Sequence, residues 1–97
     1  GGTIDVKARF PIEEIRVFEA DMKPVGETVR MGRGETKLSG YQEFDYGWIT
    51  ISFTADDEVD GFTLEASPNT MGEPRKLTLG VYALDNMYSI AAITQKQ

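Results

Sequence analysis

Two side chains that carry much of enzyme chemistry are missing from this chain: its 97 residues include no cysteine and no histidine. That excludes disulfides, thiol nucleophiles, Ser-His-Asp triads and zinc sites built on Cys or His. Long apolar runs are absent too, and nothing approaches the ~18–20 residues of a membrane-spanning helix. The chain opens Gly-Gly-Thr-Ile-Asp, with neither a basic region nor an apolar stretch. Positive charge is scarce: 10 Lys and Arg stand against 16 Asp and Glu, a net charge of −6. An acidic surface repels phosphate backbones, which argues against nucleic acid as a partner. The apolar fraction of 40% is ordinary for a globular domain. A chain of this length makes one domain, residues 1–97, whose single core suffices without disulfides.

The patterning has period two. Ile4, Val6, Ala8 and Phe10 alternate with Asp5, Lys7 and Arg9 up to Pro11, as a half-buried strand does. Between residues 12 and 22 two readings compete. Ile12, Ile15, Phe18 and Met22 stand at helical spacing, whereas the β-branched Ile15-Arg16-Val17 suits a strand. Strand is the preferred reading because the surroundings are β-patterned. Lys23-Pro24-Val25-Gly26 signals a turn. Thr28 to Met31 reads as a short strand, Glu35 to Leu38 as a brief edge strand, and Ser39 to Gly47 as a loop with three aromatics. Trp48–Thr54, Phe62–Ala66 and Leu77–Ala83 alternate again, with Ile49, Ile51, Phe53, Phe62, Leu64, Leu77, Leu79 and Val81 inward.

Asp85-Asn86 suits a two-residue hairpin turn. That register sets Leu84 opposite Met87, Val81 opposite Ile90 and Leu79 opposite Ala92. It turns Tyr88, Ile90 and Ala92 inward and gives an apolar outer face of Tyr82, Leu84, Met87 and Ile93, a candidate contact surface. Six to eight short strands with turns every 8–12 residues predict an all-β fold, an immunoglobulin-like antiparallel β-sandwich of about seven strands.

From Trp48 onward the chain carries Trp48-Ile49-Thr50-Ile51-Ser52, then Phe62 to Asn69, then Arg75-Lys76-Leu77-Thr78-Leu79, and finally Ile90 to Gln95. This ordered set, over about residues 48–97, resembles the BACON domain, an immunoglobulin-like module of Bacteroidota. In that family a Trp, an Asn before a turn, an Arg opening a strand and a closing strand ending in Gln recur at similar spacing; residues 1–30 match it only as generic strands. The resemblance implies a secreted or lipoprotein setting at the cell envelope, periplasmic or on the cell surface. It implies a non-catalytic module without cofactor, acting as a spacer or interaction domain beside neighbouring domains, with weak binding of glycan or glycoprotein as an associated property. On the residues themselves, Asn69 suits a left-handed turn position or a cap, and Arg75 suits a fork onto carbonyls or a carboxylate.

Tyr41, Phe44, Tyr46 and Trp48 cluster in sequence, and pyranose rings stack on flat aromatic faces, so these four are candidate glycan contacts. Tyr41 and Tyr46 are expected to be exposed, and Trp48 to be core. Asp56, Glu58, Asp60 and Gly61 match the first, third, fifth and sixth positions of an EF-hand calcium loop, but the twelfth position is Ser67 instead of Glu. A solvated acidic loop is the simpler reading. Gly32-Arg33-Gly34-Glu35-Thr36-Lys37 lacks phosphate-loop spacing. Carboxylate pairs for glycoside chemistry arise by chance among 16 acids, so a glycan-active enzyme is the distant alternative.

Overall fold

A computed structural model describes residues 2–32, 34–56, 58–70, 72–83 and 88–95. Among these described residues, eight strands form two antiparallel sheets: β1 (Gly2–Lys7), β2 (Glu14–Glu19), β3 (Val29–Arg30), β4 (Gly40–Asp45), β5 (Ile49–Ala55), β6 (Gly61–Ala66), β7 (Arg75–Tyr82) and β8 (Tyr88–Gln95). One sheet runs β1-β6-β5-β4 and the other β3-β2-β7-β8. The fold class expected from the sequence is the one observed, with eight strands in place of about seven.

The period-two segments form the core. In β5, Ile49, Ile51, Phe53 and Ala55 are buried while the residues between them are not. Ile51 lies opposite Leu64 of β6, and Ile15 and Val17 of β2 lie opposite Val81 and Leu79 of β7. Ile15, Ile49 and Ile51 are wholly inaccessible, and each such side chain contributes about 1.5–3 kcal/mol by leaving water. Within segment 12–22, Glu14–Glu19 forms a strand, as preferred, and no helix: β2 is held between β3 and β7.

The sequence reading fails at three places, each for a local reason. Residues 34–36 form a 3-10 turn, because Leu38 and Lys37 fold back to hydrogen-bond Met31 and Gly34. Gly40–Asp45, expected as loop, is the edge strand β4. Only Gln42 and Phe44 of it face inward, opposite Phe53 and Ile51, and a polar edge strand has little alternation to detect. The last hairpin is in a different register: Tyr82 pairs with Tyr88, Leu79 with Ala91 and Leu77 with Ile93. A slip of one residue exchanges the faces. Ile93 therefore turns inward and packs on the core, while Tyr88 and Ile90 stand outward, 63% and 52% exposed. The expected turn Asp85-Asn86, with Leu84 and Met87, lies outside the described residues.

The turn after β2 places Met22 at φ 70. Its amide bonds the Glu19 carbonyl, and Glu19 in turn bonds the Lys23 carbonyl. A left-handed backbone costs a side chain about 1–2 kcal/mol, and Met22 is half exposed. Met22→Gly should therefore raise the unfolding free energy by about 0.5–1 kcal/mol in urea titration; a loss of stability would show that the Met22 side chain contributes packing that outweighs the strain.

The strand order gives the fold one open side. Immunoglobulin sandwiches layer strands A-B-E-D against C′-C-F-G. Here β2, β7 and β8 take the places of C, F and G, with β3 as C′, and β1, β6 and β5 take those of B, E and D, with β4 added beyond D. Among the described residues no strand takes the place of A, so β1 is an edge.

Candidate functional site

The side chains that carry the family resemblance meet at one end of the sandwich. The Arg75 guanidinium carbon lies 4.7 Å from the centre of the Trp48 ring. Arg75 Nε donates to Gln95 Oε1 (2.9 Å), and Nη2 donates both to that oxygen and to the Ser67 carbonyl (2.8 Å). Gln95 Nε2 donates to the same Ser67 carbonyl (2.6 Å). Asn69 Nδ2 donates to the carbonyls of Glu73 (2.7 Å) and Gln95 (3.4 Å). The Ser67 amide closes onto the Trp48 carbonyl at 2.9 Å.

The geometry explains why these residue types are needed. Arg75 opens β7 directly opposite Gln95 at the end of β8. A planar fork there reaches the carboxamide and the loop carbonyl together, which an ammonium cannot do. Gln95 must accept from the guanidinium and donate to a carbonyl, so only a carboxamide serves. Trp48 supplies the ring face on which the cation rests. Asn69 is not in the left-handed region: among the described non-glycine residues only Met22 is, and Gly72 takes that conformation (φ 84) in this loop. Asn69 acts through its amide, which holds the Glu73 and Gln95 carbonyls. The four residues tie the β6–β7 loop to the last strand, and their polar groups face one another.

The four aromatics proposed for glycan do not share a surface. Tyr41 projects from β4, 65% exposed, with its hydroxyl donating to Glu43 at 3.0 Å. Phe44 points to the other face and stacks on Phe53, centroids 6.1 Å apart. Trp48 is half-buried under Arg75, neither fully core nor free. Tyr46, expected to be exposed, is only 6% accessible. It lies just beyond β4, where the chain turns at Gly47 (φ 91) and the Tyr46 amide bonds Ile49. Its hydroxyl donates to the Glu27 carbonyl at 2.8 Å, and its ring lies against Gly26, where a Cβ would come within 2.9 Å of it. Burial, and secondarily the charge of Glu27, push the phenol up to about 12. Tyr46 is thus a structural strut between the β3 approach and the β4–β5 turn.

At the acidic loop, Asp56, Glu58 and Asp60 are exposed, and among the described residues no three ligating side chains gather around a point. Backbone bonds from Ala8 to the Asp60 carbonyl and from Ile12 to the Val59 carbonyl, both 2.7 Å, staple this loop to the β1–β2 connection.

The contact face of the last hairpin changes membership with the register. Tyr82 and Tyr88 stack at 6.0 Å, Arg16 sits 4.9 Å over Tyr82, and Ile90 extends the patch. Ile93 is not on it. The Tyr82 ring lies across Gly80, where a Cβ would approach it to 2.7 Å, so glycine lets the ring lie flat on the sheet. Sequence reasoning missed Arg16, Tyr88 and Ile90; the signal was Gly80, since a glycine in mid-strand marks a close approach.

Among the described residues no helix is long and apolar enough to cross a membrane. No family model, curated protein or solved structure matches the chain.

Proposed function

We propose that this domain is a non-catalytic interaction module of a cell-surface or secreted protein, one that makes protein contacts and positions neighbouring domains. The observation that supports it best is the outer face of β7 and β8. Two stacked tyrosines, an arginine and Ile90 form one exposed patch there, and tyrosine and arginine are the residue types enriched where proteins meet. The extracytoplasmic setting draws on the BACON resemblance, whose Trp48, Asn69, Arg75 and Gln95 serve a structural purpose here. Sedimentation velocity over a wide concentration range tests the reading. The wild type should associate weakly, and Tyr88→Asp with Ile90→Asp should return it to monomer with an unchanged melting temperature. Identical sedimentation of the two proteins would count against it.

Weak glycan binding is the second reading, supported by Tyr41 alone, whose ring is open and whose hydroxyl is oriented by Glu43. A glycan array should then show signal that Tyr41→Ala lowers without moving Tm. Equal signal from both proteins removes Tyr41 from consideration.

A further inference from the structure

The side of the sandwich between β1 and β8 is unsealed. Cross-strand partners share a face, so Ile4 opposite Leu64 and Val6 opposite Phe62 point between the layers. On β8, Ser89, Ala91 and Ile93 point between the layers, opposite Val81, Leu79 and Leu77. Yet Ile4 is 58% exposed, and Ser89 and Ala91 are exposed as well. Inward-facing residues that remain wet show that the layers do not close on each other here. β1 has a ladder partner on one side only, which leaves a row of backbone donors and acceptors along six residues, about 20 Å.

Two cavities fill the gap, of about 510 and 540 Å3. They share Ile4, Leu64 and Ile93, so they form one groove running from Phe10 and Ser89 to Asn69 and Gln95. The charge along it is one-sided. The chain has 16 acidic residues, but no carboxylate side chain lines either cavity among the described residues, while Lys7 and Arg9 stand at one end. This is the slot that strand A occupies in an immunoglobulin sandwich.

The geometry points to this groove as the receiving slot for one further β-strand: an extended polypeptide segment that pairs antiparallel with β1, alternates apolar with polar residues, and carries carboxylates at its N-terminal end. Antiparallel pairing follows the rest of the molecule, in which every ladder among the described residues is antiparallel. β1 runs from Gly2 to Lys7, so an antiparallel partner begins beside Lys7 and Arg9, where acidic residues find their counter-charges. Main-chain hydrogen bonds to β1 supply affinity. Apolar side chains at every second position cover Ile4, Val6, Ala91 and Ile93, which is strand addition with built-in register. The inference extends the interaction reading to a second surface, independent of the Tyr82–Tyr88 face.

The test uses a synthetic peptide of about ten residues in which valine alternates with threonine after two N-terminal glutamates. Calorimetric titration of the full chain should give one-to-one binding, and saturating peptide should raise Tm by several degrees. Ile4→Asp on β1 and, separately, Ala91→Glu on β8 should each weaken binding about tenfold or more. Both positions are exposed, so circular dichroism should show both variants folded. Moving the glutamates to the C-terminal end should weaken binding, increasingly so at low salt. Three results would overturn the inference: no binding; equal binding of a peptide N-methylated at alternate amides, which would mean apolar adsorption or a small-molecule site; or a wild-type dimer that Ile4→Asp dissociates and that excludes peptide, which would mean a second copy occupies the edge. Failure of the outer-face variants to alter sedimentation leaves this titration untouched.

Discussion

Replacing Tyr46 by alanine should cost the domain about 3–5 kcal/mol, as large-to-small changes of buried aromatics do. Domains of this size hold about 5–15 kcal/mol in all, so Tyr46→Ala should be folded but marginal, with a chemical midpoint far below the wild type. The loss has two parts. The ring leaves a void between Gly26 and the β4–β5 turn, and the Glu27 carbonyl loses the donor it holds at 2.8 Å. Tyr46→Phe separates them, because it keeps the ring and removes only the hydrogen bond, at about 1 kcal/mol. The phenol also gives the domain an alkaline signature. Its folded pKa is raised from 10.0 to about 12 by burial first and Glu27 second. The folded state therefore keeps a proton that the unfolded chain releases near pH 10. Below pH 10 the stabilisation is fully present; it is lost as pH climbs from 10 to 12, by about 2–3 kcal/mol in total. Urea midpoints measured across that window should fall for the wild type and fall less for Tyr46→Phe. Parallel curves would mean that Tyr46 is solvated.

The second large effect is at Arg75. Its guanidinium joins β7 to the end of β8 and to the Ser67 carbonyl while covering the Trp48 ring. Charge-assisted hydrogen bonds contribute about 1.5–3 kcal/mol and a cation over tryptophan about 0.5–1 kcal/mol where solvent reaches it. Arg75 is half-buried, so Arg75→Ala should cost about 2–3 kcal/mol, a drop of roughly 10 °C or more in Tm for a domain of this size. Trp48 emission should shift to the red as its ring is uncovered. Arg75→Lys keeps the charge and loses the fork, so it should recover less than half of the loss. Full rescue by lysine would show that charge alone matters there.

How much of this could be read from residues alone depends on the kind of information each feature needs. β5, β6 and β7 were legible because Ile49-Ile51-Phe53, Phe62-Leu64 and Leu77-Leu79-Val81 alternate with polar or small neighbours, and a sheet with one wet face enforces that period. Residues 12–22 offered both a helical and a strand spacing, with strand preferred from its β-patterned surroundings, and β2 is indeed a strand paired with β7. β4 escaped notice since an edge strand buries only one of its aromatics. The register of the last hairpin was illegible for a sharper reason. Both faces of Tyr88–Gln95 carry apolar residues, with Tyr88, Ile90 and Ala92 on one and Ala91 and Ile93 on the other, so the pattern allowed either. The Asp85-Asn86 signal favoured the pairing that is not observed.

The candidate site was legible by residue type more than by partner. Trp48, Asn69, Arg75 and Gln95 stood out in sequence, but only the fold shows that Arg75 and the Gln95 carboxamide meet at the Ser67 carbonyl, that Arg75 covers the Trp48 ring, and that Asn69 reaches the main-chain carbonyls of Glu73 and Gln95. Tyr46 carries no sequence mark that separates a strut from an exposed ring. The open side of the sandwich is the extreme case, because its mark is the exposure of inward-facing residues, which the alternation pattern does not carry. It becomes visible only once Ile4 and Ala91 are seen to face inward and yet stay wet.

That unsealed side is a surface for one more strand. Amide hydrogen exchange, followed residue by residue with and without the valine–threonine peptide, tests it most directly. Free chain should exchange fastest among the strands in Gly2–Lys7, and peptide should slow the β1 amides that point away from β6 while leaving Tyr82 and Ile90 unchanged. Peptide that protects the Tyr82–Ile90 face instead, or a β1 already as protected as β5 in the free chain, would contradict it.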